Sequence, residues 1–254
     1  MTRFRWEQGA RSRERVGMGL RPDLIPGPRS LLLVALALFS ALGAASAQVG
    51  HDPERSPFRD IRKGSAVALG LGYFGGGTGN LGVGSTNGPT ASGRFELSLG
   101  GPVLVAFGAS LARLERTVLD PTTDPPPRTG PFDSDIVMID LGLQMRLTGQ
   151  KSYHRLAPYI GAAVGMAFEV SGPADPGLYS FGTKFTIAPG GGVRVYTGRH
   201  LSLAADFRLL FWRLGYPTTY QSPSSGGTPL VPPGAKNTDW TTHPWTTVGV
   251  VWTF

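Results

Sequence analysis

Eight charged residues stand singly among small and apolar neighbours: Arg94, Glu96, Asp140, Arg146, Glu169, Arg194, Asp206 and Arg208. In each stretch they fall on the positions that alternate with large apolar residues. Arg94 and Glu96 oppose Phe95, Leu97 and Leu99, while Asp140 and Arg146 oppose Ile139, Leu141, Leu143, Met145 and Leu147. Successive side chains of a strand point to opposite faces, so the charges share one face and the bulky apolar residues the other. Four are basic and four acidic. Charges withdrawn from water must be paired, so the chemistry expected of them is an internal salt-bridge network.

Hydrolysis would need a serine, a histidine and an acid brought together. Of His51, His154, His200 and His243, only His243 has candidate partners, Ser110 or Ser134 with Asp239, and nothing in the spacing selects them. No catalytic residue is expected. The glycine-rich stretch from Gly75 to Thr90 leads into another strand, whereas a phosphate-cradling loop needs a helix N-terminus after it. No spacing calls for a cofactor or a metal, and the absence of cysteine rules out disulfides, thiol catalysis and Cys-ligated zinc.

The elements that position these charges are eight period-two stretches: Ser65–Tyr73, Arg94–Leu99, Val103–Val118, Val137–Leu147, Leu156–Val170, Phe185–Tyr196, Leu201–Trp212 and Trp240–Phe254. Pro189-Gly-Gly-Gly192 predicts a kink or bulge in the sixth. In the last, Thr246, Val248, Val250, Trp252 and Phe254 share an apolar, aromatic-ended face. That strand needs a partner from elsewhere in the chain, and a closed barrel provides one. The connections alternate long and short. The long ones, 75–90, 119–135, 171–180 and 215–238, are rich in Gly, Pro, Ser and Thr and read as mobile, solvated loops. The prolines between Asp120 and Pro131 exclude a ladder there.

Residues 1–47 differ from the rest. A basic lead, the apolar centre Leu31–Phe39 and the small-residue end Ala45-Ser46-Ala47 are the parts of a secretory signal cleaved before Gln48, and Met18 offers an alternative start that would leave 1–17 untranslated. Seven of the 24 Lys and Arg and three of the 17 acids lie in that leader, so the net charge of +7 falls to +3 beyond it. A net of +3 without a basic cluster gives nucleic acid no footing. Residues 48–64 read as a polar arm and 65–254 as one domain.

The face opposite the apolar one mixes glycine, alanine, hydroxyls and single charges, too small and too sparsely charged for a water-facing surface. It suits a narrow lumen. No segment after the leader reaches the roughly 20 apolar residues of a spanning helix, whereas strands of about 9–11 residues suffice when tilted. Aromatics gather near strand ends: Tyr73, Phe74, Phe211, Trp212, Tyr216 and Trp240 toward the long loops, Tyr153, Tyr196, Trp252 and Phe254 toward the short turns. Two such girdles are expected of a membrane barrel. The expected fold is therefore an all-β, antiparallel, up-and-down transmembrane barrel of eight strands, or ten if the final loop hides a hairpin.

The segment Leu156-Ala-Pro-Tyr-Ile-Gly-Ala-Ala-Val-Gly165, the hairpin from Gly190-Gly-Gly-Val-Arg-Val-Tyr196 into Leu201–Phe207, and the terminal Phe254 resemble the small outer-membrane barrels of the OmpA/OmpX type. The resemblance implies outer-membrane lipid as the surroundings, periplasmic termini and extracellular long loops. It implies too that Val248, Val250, Trp252 and Phe254 are read by the barrel assembly machinery. Chain continuing past the eighth strand into a peptidoglycan-binding domain, as some relatives have, is not expected. The functional expectation is a monomeric envelope-structural or surface protein with a plugged lumen. The alternatives are a narrow pore, a lipid-modifying barrel enzyme and a soluble periplasmic ligand-binding barrel.

Overall fold

The computed structural model describes residues 56–123, 125–222, 229–232 and 234–254. The leader, the alternative start and the first part of the arm lie outside the described residues. The eight principal strands are β2 (Ser65–Phe74), β3 (Gly88–Gly100), β4 (Val103–Leu119), β5 (Arg128–Arg146), β7 (Leu156–Ser171), β8 (Thr183–Tyr196), β9 (Leu201–Gly215) and β10 (Thr238–Thr253). Two three-residue strands, β1 (Phe58–Asp60) and β6 (Lys151–Tyr153), pair with each other beside the foot of β7.

Each principal strand pairs antiparallel with its neighbour in the chain, and β10 pairs with β2, so the sheet closes. The register can be followed around the ring. Arg146 on β5 stands opposite Tyr159, then in turn Gly192, Asp206, Thr247, Gly72, Thr90 and Ala112, and the path returns to β5 at Ile136. The stagger on closure is thus the ten residues between Ile136 and Arg146. With strands about 4.8 Å apart and a rise of about 3.3 Å per residue, this tilts the strands by about 40° and sets a backbone radius of about 8 Å. A ring of that size is filled by its own side chains.

The period of two decides which side chains fill it. Ala106, Ala112, Met138, Ala157, Ala163, Ala167 and Ala188 are buried inside, whereas Leu69, Leu71, Leu141, Leu143, Phe185, Val248 and Val250 lie exposed on the outer wall. Leu71 is 68% exposed and Val248 66%. A monomer in water rarely leaves a contiguous apolar surface of this extent uncovered. The same parity divides the aromatics. Tyr73, Trp240, Tyr153, Trp252 and Phe254 do face outward, but Phe74, Trp212 and Tyr216 are buried. Height along the strand alone predicts a girdle position for these three, and the structure buries them inside. Tyr196 shares the inward parity of Arg194.

Several strand ends differ from the sequence expectation. β5 starts at Arg128, with Thr129 opposite Val118 and Arg128 opposite Leu119, so the prolines do not keep all of 119–131 out of a ladder. Pro131 lies where the β4–β5 register shifts between Arg116 and Val118, a place that tolerates a missing N–H. Its other side is free, because β7 pairs with β5 only from Asp135 onward. At Pro189-Gly-Gly-Gly192 the pairing with β7 is unbroken, and the pairing with β9 resumes beyond Pro189 in the register it had before. The ladder to β9 thus lapses at Ala188 and Pro189 without the register shift of a bulge. The final loop holds a 3-10 turn, Thr218–Tyr220, and no hairpin among its described residues.

The described arm meets the short turns on its way to β2. β1 pairs with β6, which meets β7 at Tyr153–Leu156, and β2 stands four strands from β7 around the ring. Along this path Ile61 is buried and donates its N–H to the Gln150 carbonyl at 2.9 Å. Arg62 Nη1 lies 2.9 Å from His200 Nε2 in the β8–β9 turn.

Candidate functional site: a filled lumen under a loop cap

The charged side chains meet inside the ring because the stagger brings distant strands to one level. Arg194 Nη2 lies 2.6 Å from Glu96 Oε1 and donates to Gln144 Oε1 at 3.4 Å. Arg94 Nη1 stands 3.8 Å from the same Glu96 oxygen and 3.4 Å from Asp206 Oδ1, to which the Tyr159 hydroxyl also donates. Higher up, Arg208 Nη1 is 3.5 Å from Asp140 Oδ2, and its guanidinium lies 5.1 Å over the Trp245 ring. Two glycines make room for these groups. A Cβ at Gly108 would lie 2.7 Å from Asp140 Oδ1, and one at Gly192 would lie 2.7 Å from the Tyr159 hydroxyl.

Six of the eight predicted charges are therefore brought together: Arg94, Glu96, Arg194 and Asp206 in one cluster, Asp140 and Arg208 in a pair. Arg146 lies at the same foot of the barrel, buried, with no ion pair among the described residues. Glu169 is apart, near the long loops. Its partner is Arg116, with Nε at 3.5 Å. Arg116 also reaches Asp175 Oδ2 at 3.1 Å and donates to the Pro173 carbonyl at 2.9 Å, with its guanidinium 5.2 Å from the Tyr179 ring centre. Arg116 continues the inward parity of Ala106, Gly108, Ser110 and Ala112, and carrying that alternation four residues further would have found it.

Between the two charged levels lies an aromatic layer. Phe74 stacks on Trp212 at 5.5 Å and on His243 at 5.1 Å, and Trp212 and His243 are 4.2 Å apart between ring centres. Trp245 Nε1 donates to Thr90 Oγ1 at 3.1 Å. The hydrolase constellation is not assembled. His243 is fully buried, with Nε2 2.8 Å from Thr241 Oγ1. Ser134 Oγ donates to Glu169 at 3.0 Å, and Asp239 accepts the Asn80 N–H at 2.8 Å.

The long loops close over this layer instead of standing free. Val83 from the first, Leu119 at the head of β4, Tyr179 from the third, and Tyr216, Tyr220 and Val231 from the last form a second buried cluster. Four of its six members are isolated apolar or aromatic residues in Pro/Gly-rich sequence, where no period marks them. The expectation of solvated loops is corrected for these segments. Burial pushes the Tyr179 and Tyr220 hydroxyls above their ordinary pKa. A cavity of about 20 Å³, enough for a water or two, borders Arg94, Asp140, Tyr159, Asp206 and Arg208.

The chain folds as a closed, antiparallel, up-and-down ring of eight principal strands. In structure it is similar to Neisserial surface protein A, at 16% identity and a TM-score of 0.47 over 78% of this chain and 98% of that one. It is similar also to the outer membrane protein OprG of Pseudomonas aeruginosa, at 13% identity and a TM-score of 0.44 over 77% and 98%. A major outer membrane protein of Thermus thermophilus matches at 14% identity and a TM-score of 0.36 over 75% and 99%. No family model and no curated relative matches the sequence.

Proposed function

We propose that the protein is a non-catalytic outer-membrane barrel with an envelope-structural or surface-interaction role, its lumen sealed by its own side chains. The observation that supports this reading is how many of the protein's own side chains are buried inside the ring: Ile61 beside Gln150 at the short turns, the Arg194–Glu96–Arg94–Asp206 cluster, the Phe74–Trp212–His243 stack and the loop cluster at the other end. A solute would have to break several buried ion pairs to pass. The outer wall supports the membrane setting: an apolar surface bounded by outward aromatics is stable in lipid, where a closed ladder leaves no backbone group unpaired. In this reading the short turns and the arm face the periplasm and the capped loops face outward.

Two measurements test it. Protein extracted from the membrane should migrate differently in a denaturing gel before and after boiling, since a closed ladder in lipid resists detergent. Liposomes holding the folded protein should swell in small sugars no faster than empty ones. Rapid swelling would overturn the sealed lumen, and a soluble protein with no heat shift would overturn the membrane barrel.

A further inference from the structure

The rim at the short-turn end is strongly one-signed. Among the described residues, Arg59, Arg62, Lys63, Lys151, Arg155 and Arg199 are exposed there, and Asp60 is the one acidic side chain among them. At the long-loop end, apart from the buried Arg116–Glu169–Asp175 group, the described cations Arg113, Arg128, Lys184, Arg213 and Lys236 are matched by as many acids, Glu115, Asp120, Asp133, Asp135 and Asp239. The asymmetry is invisible in the net charge.

The cations of the short-turn rim adjoin exposed aromatics. Phe58 and Tyr153, each 47% exposed, meet across the β1–β6 pair with ring centres 5.2 Å apart, at the end of a ladder in which Arg59 stands opposite Ser152 and Lys151 opposite Asp60. Arg62 bonds His200, and the His200 ring stacks on Trp252 at 5.5 Å, itself half exposed at the lower edge of the apolar wall. A basic group tied to an outward tryptophan lies at the depth where acyl chains give way to headgroups.

We propose that this rim is a binding surface for anionic phospholipid headgroups of the leaflet that surrounds the short-turn end, with phosphatidylglycerol as the simplest ligand of that class. The inference rests on the membrane reading above. A protein or nucleic-acid partner would not require the aromatic edge, whereas a lipid satisfies both parts at once: phosphate on Arg and Lys, acyl chain against Phe58, Tyr153 and Trp252. Each cation near an anionic surface contributes about 1 kcal/mol, or roughly fivefold in local lipid enrichment.

The test uses the full folded chain in phosphatidylcholine bilayers containing one part in four of phosphatidylglycerol, with the lipids retained on native extraction measured by headgroup. The wild type should retain phosphatidylglycerol several-fold above its bulk share, and about 1 M salt, where the Debye length is about 3 Å, should abolish the excess. Two triple variants, R59Q/R62Q/K63Q and K151Q/R155Q/R199Q, should each lose most of it, while R113Q/K184Q/R213Q at the other end should retain it. No enrichment in the wild type, or equal loss in the R113Q/K184Q/R213Q protein, would overturn the proposal. The heat shift is read on every sample, so a failure to fold into the bilayer is distinguished from a failure to select lipid.

Discussion

At the residue scale, the contact most sensitive to substitution is Glu96, 1% exposed and shared between Arg194 and Arg94. Its carboxylate lets two guanidiniums occupy a low-dielectric space, and removing one partner of a buried pair costs about 3–5 kcal/mol because the other charge is left uncompensated. Glu96→Gln keeps the shape and removes the charge, so its unfolding free energy from urea titration in lipid should fall by that order. Arg113→Gln, at the exposed Arg113–Asp135 pair, should change that free energy by less than about 1 kcal/mol. The alternation of the sequence placed Glu96 and its neighbours inside, because a strand's period is rigid. It could not show that Arg146 would have no carboxylate partner among the described residues while Arg116 took Glu169, since partners across the ring are set by the ten-residue stagger and no single strand carries it.

At the scale of elements, the loops are where reading the sequence fell short. Strands announce themselves by repetition, but Val83, Tyr179, Tyr220 and Val231 are single residues whose burial depends on three loops arriving together. Arg116 anchors that arrival by holding Asp175 and the Pro173 carbonyl. Arg116→Ala should therefore speed protease cleavage within 172–182 by an order of magnitude or more, about 1.4 kcal/mol in the opening equilibrium, while the barrel keeps its heat shift. The cap has a pH limit as well. Buried tyrosines whose folded pKa is raised contribute stability that is complete below the unfolded value of about 10 and is lost as pH rises beyond it. Cleavage in the same loop should be flat from neutral pH to about pH 9 and rise above about pH 10. A rise beginning near neutrality would remove the tyrosines from the explanation.

At the scale of the molecule, a barrel's stability and its assembly make different demands on the last strand. Val248, Val250, Trp252 and Phe254 all point outward and contribute nothing to the lumen packing. Closure depends on the backbone of β10, which pairs with β2 from Trp245 to Thr253, and on the Phe254 N–H donated to the Ser65 carbonyl at 2.9 Å. Phe254→Ala leaves all of these bonds available, so the purified variant should fold into detergent micelles with an unfolding free energy within about 1 kcal/mol of the wild type. If the four residues form the signal for the assembly machinery that the family resemblance implies, the same substitution should sharply reduce the heat-shifted protein recovered from cell membranes. A parallel loss in micelles would mean that the ring at 254 acts in folding itself. Normal recovery from cells would mean that assembly reads some other part of the strand.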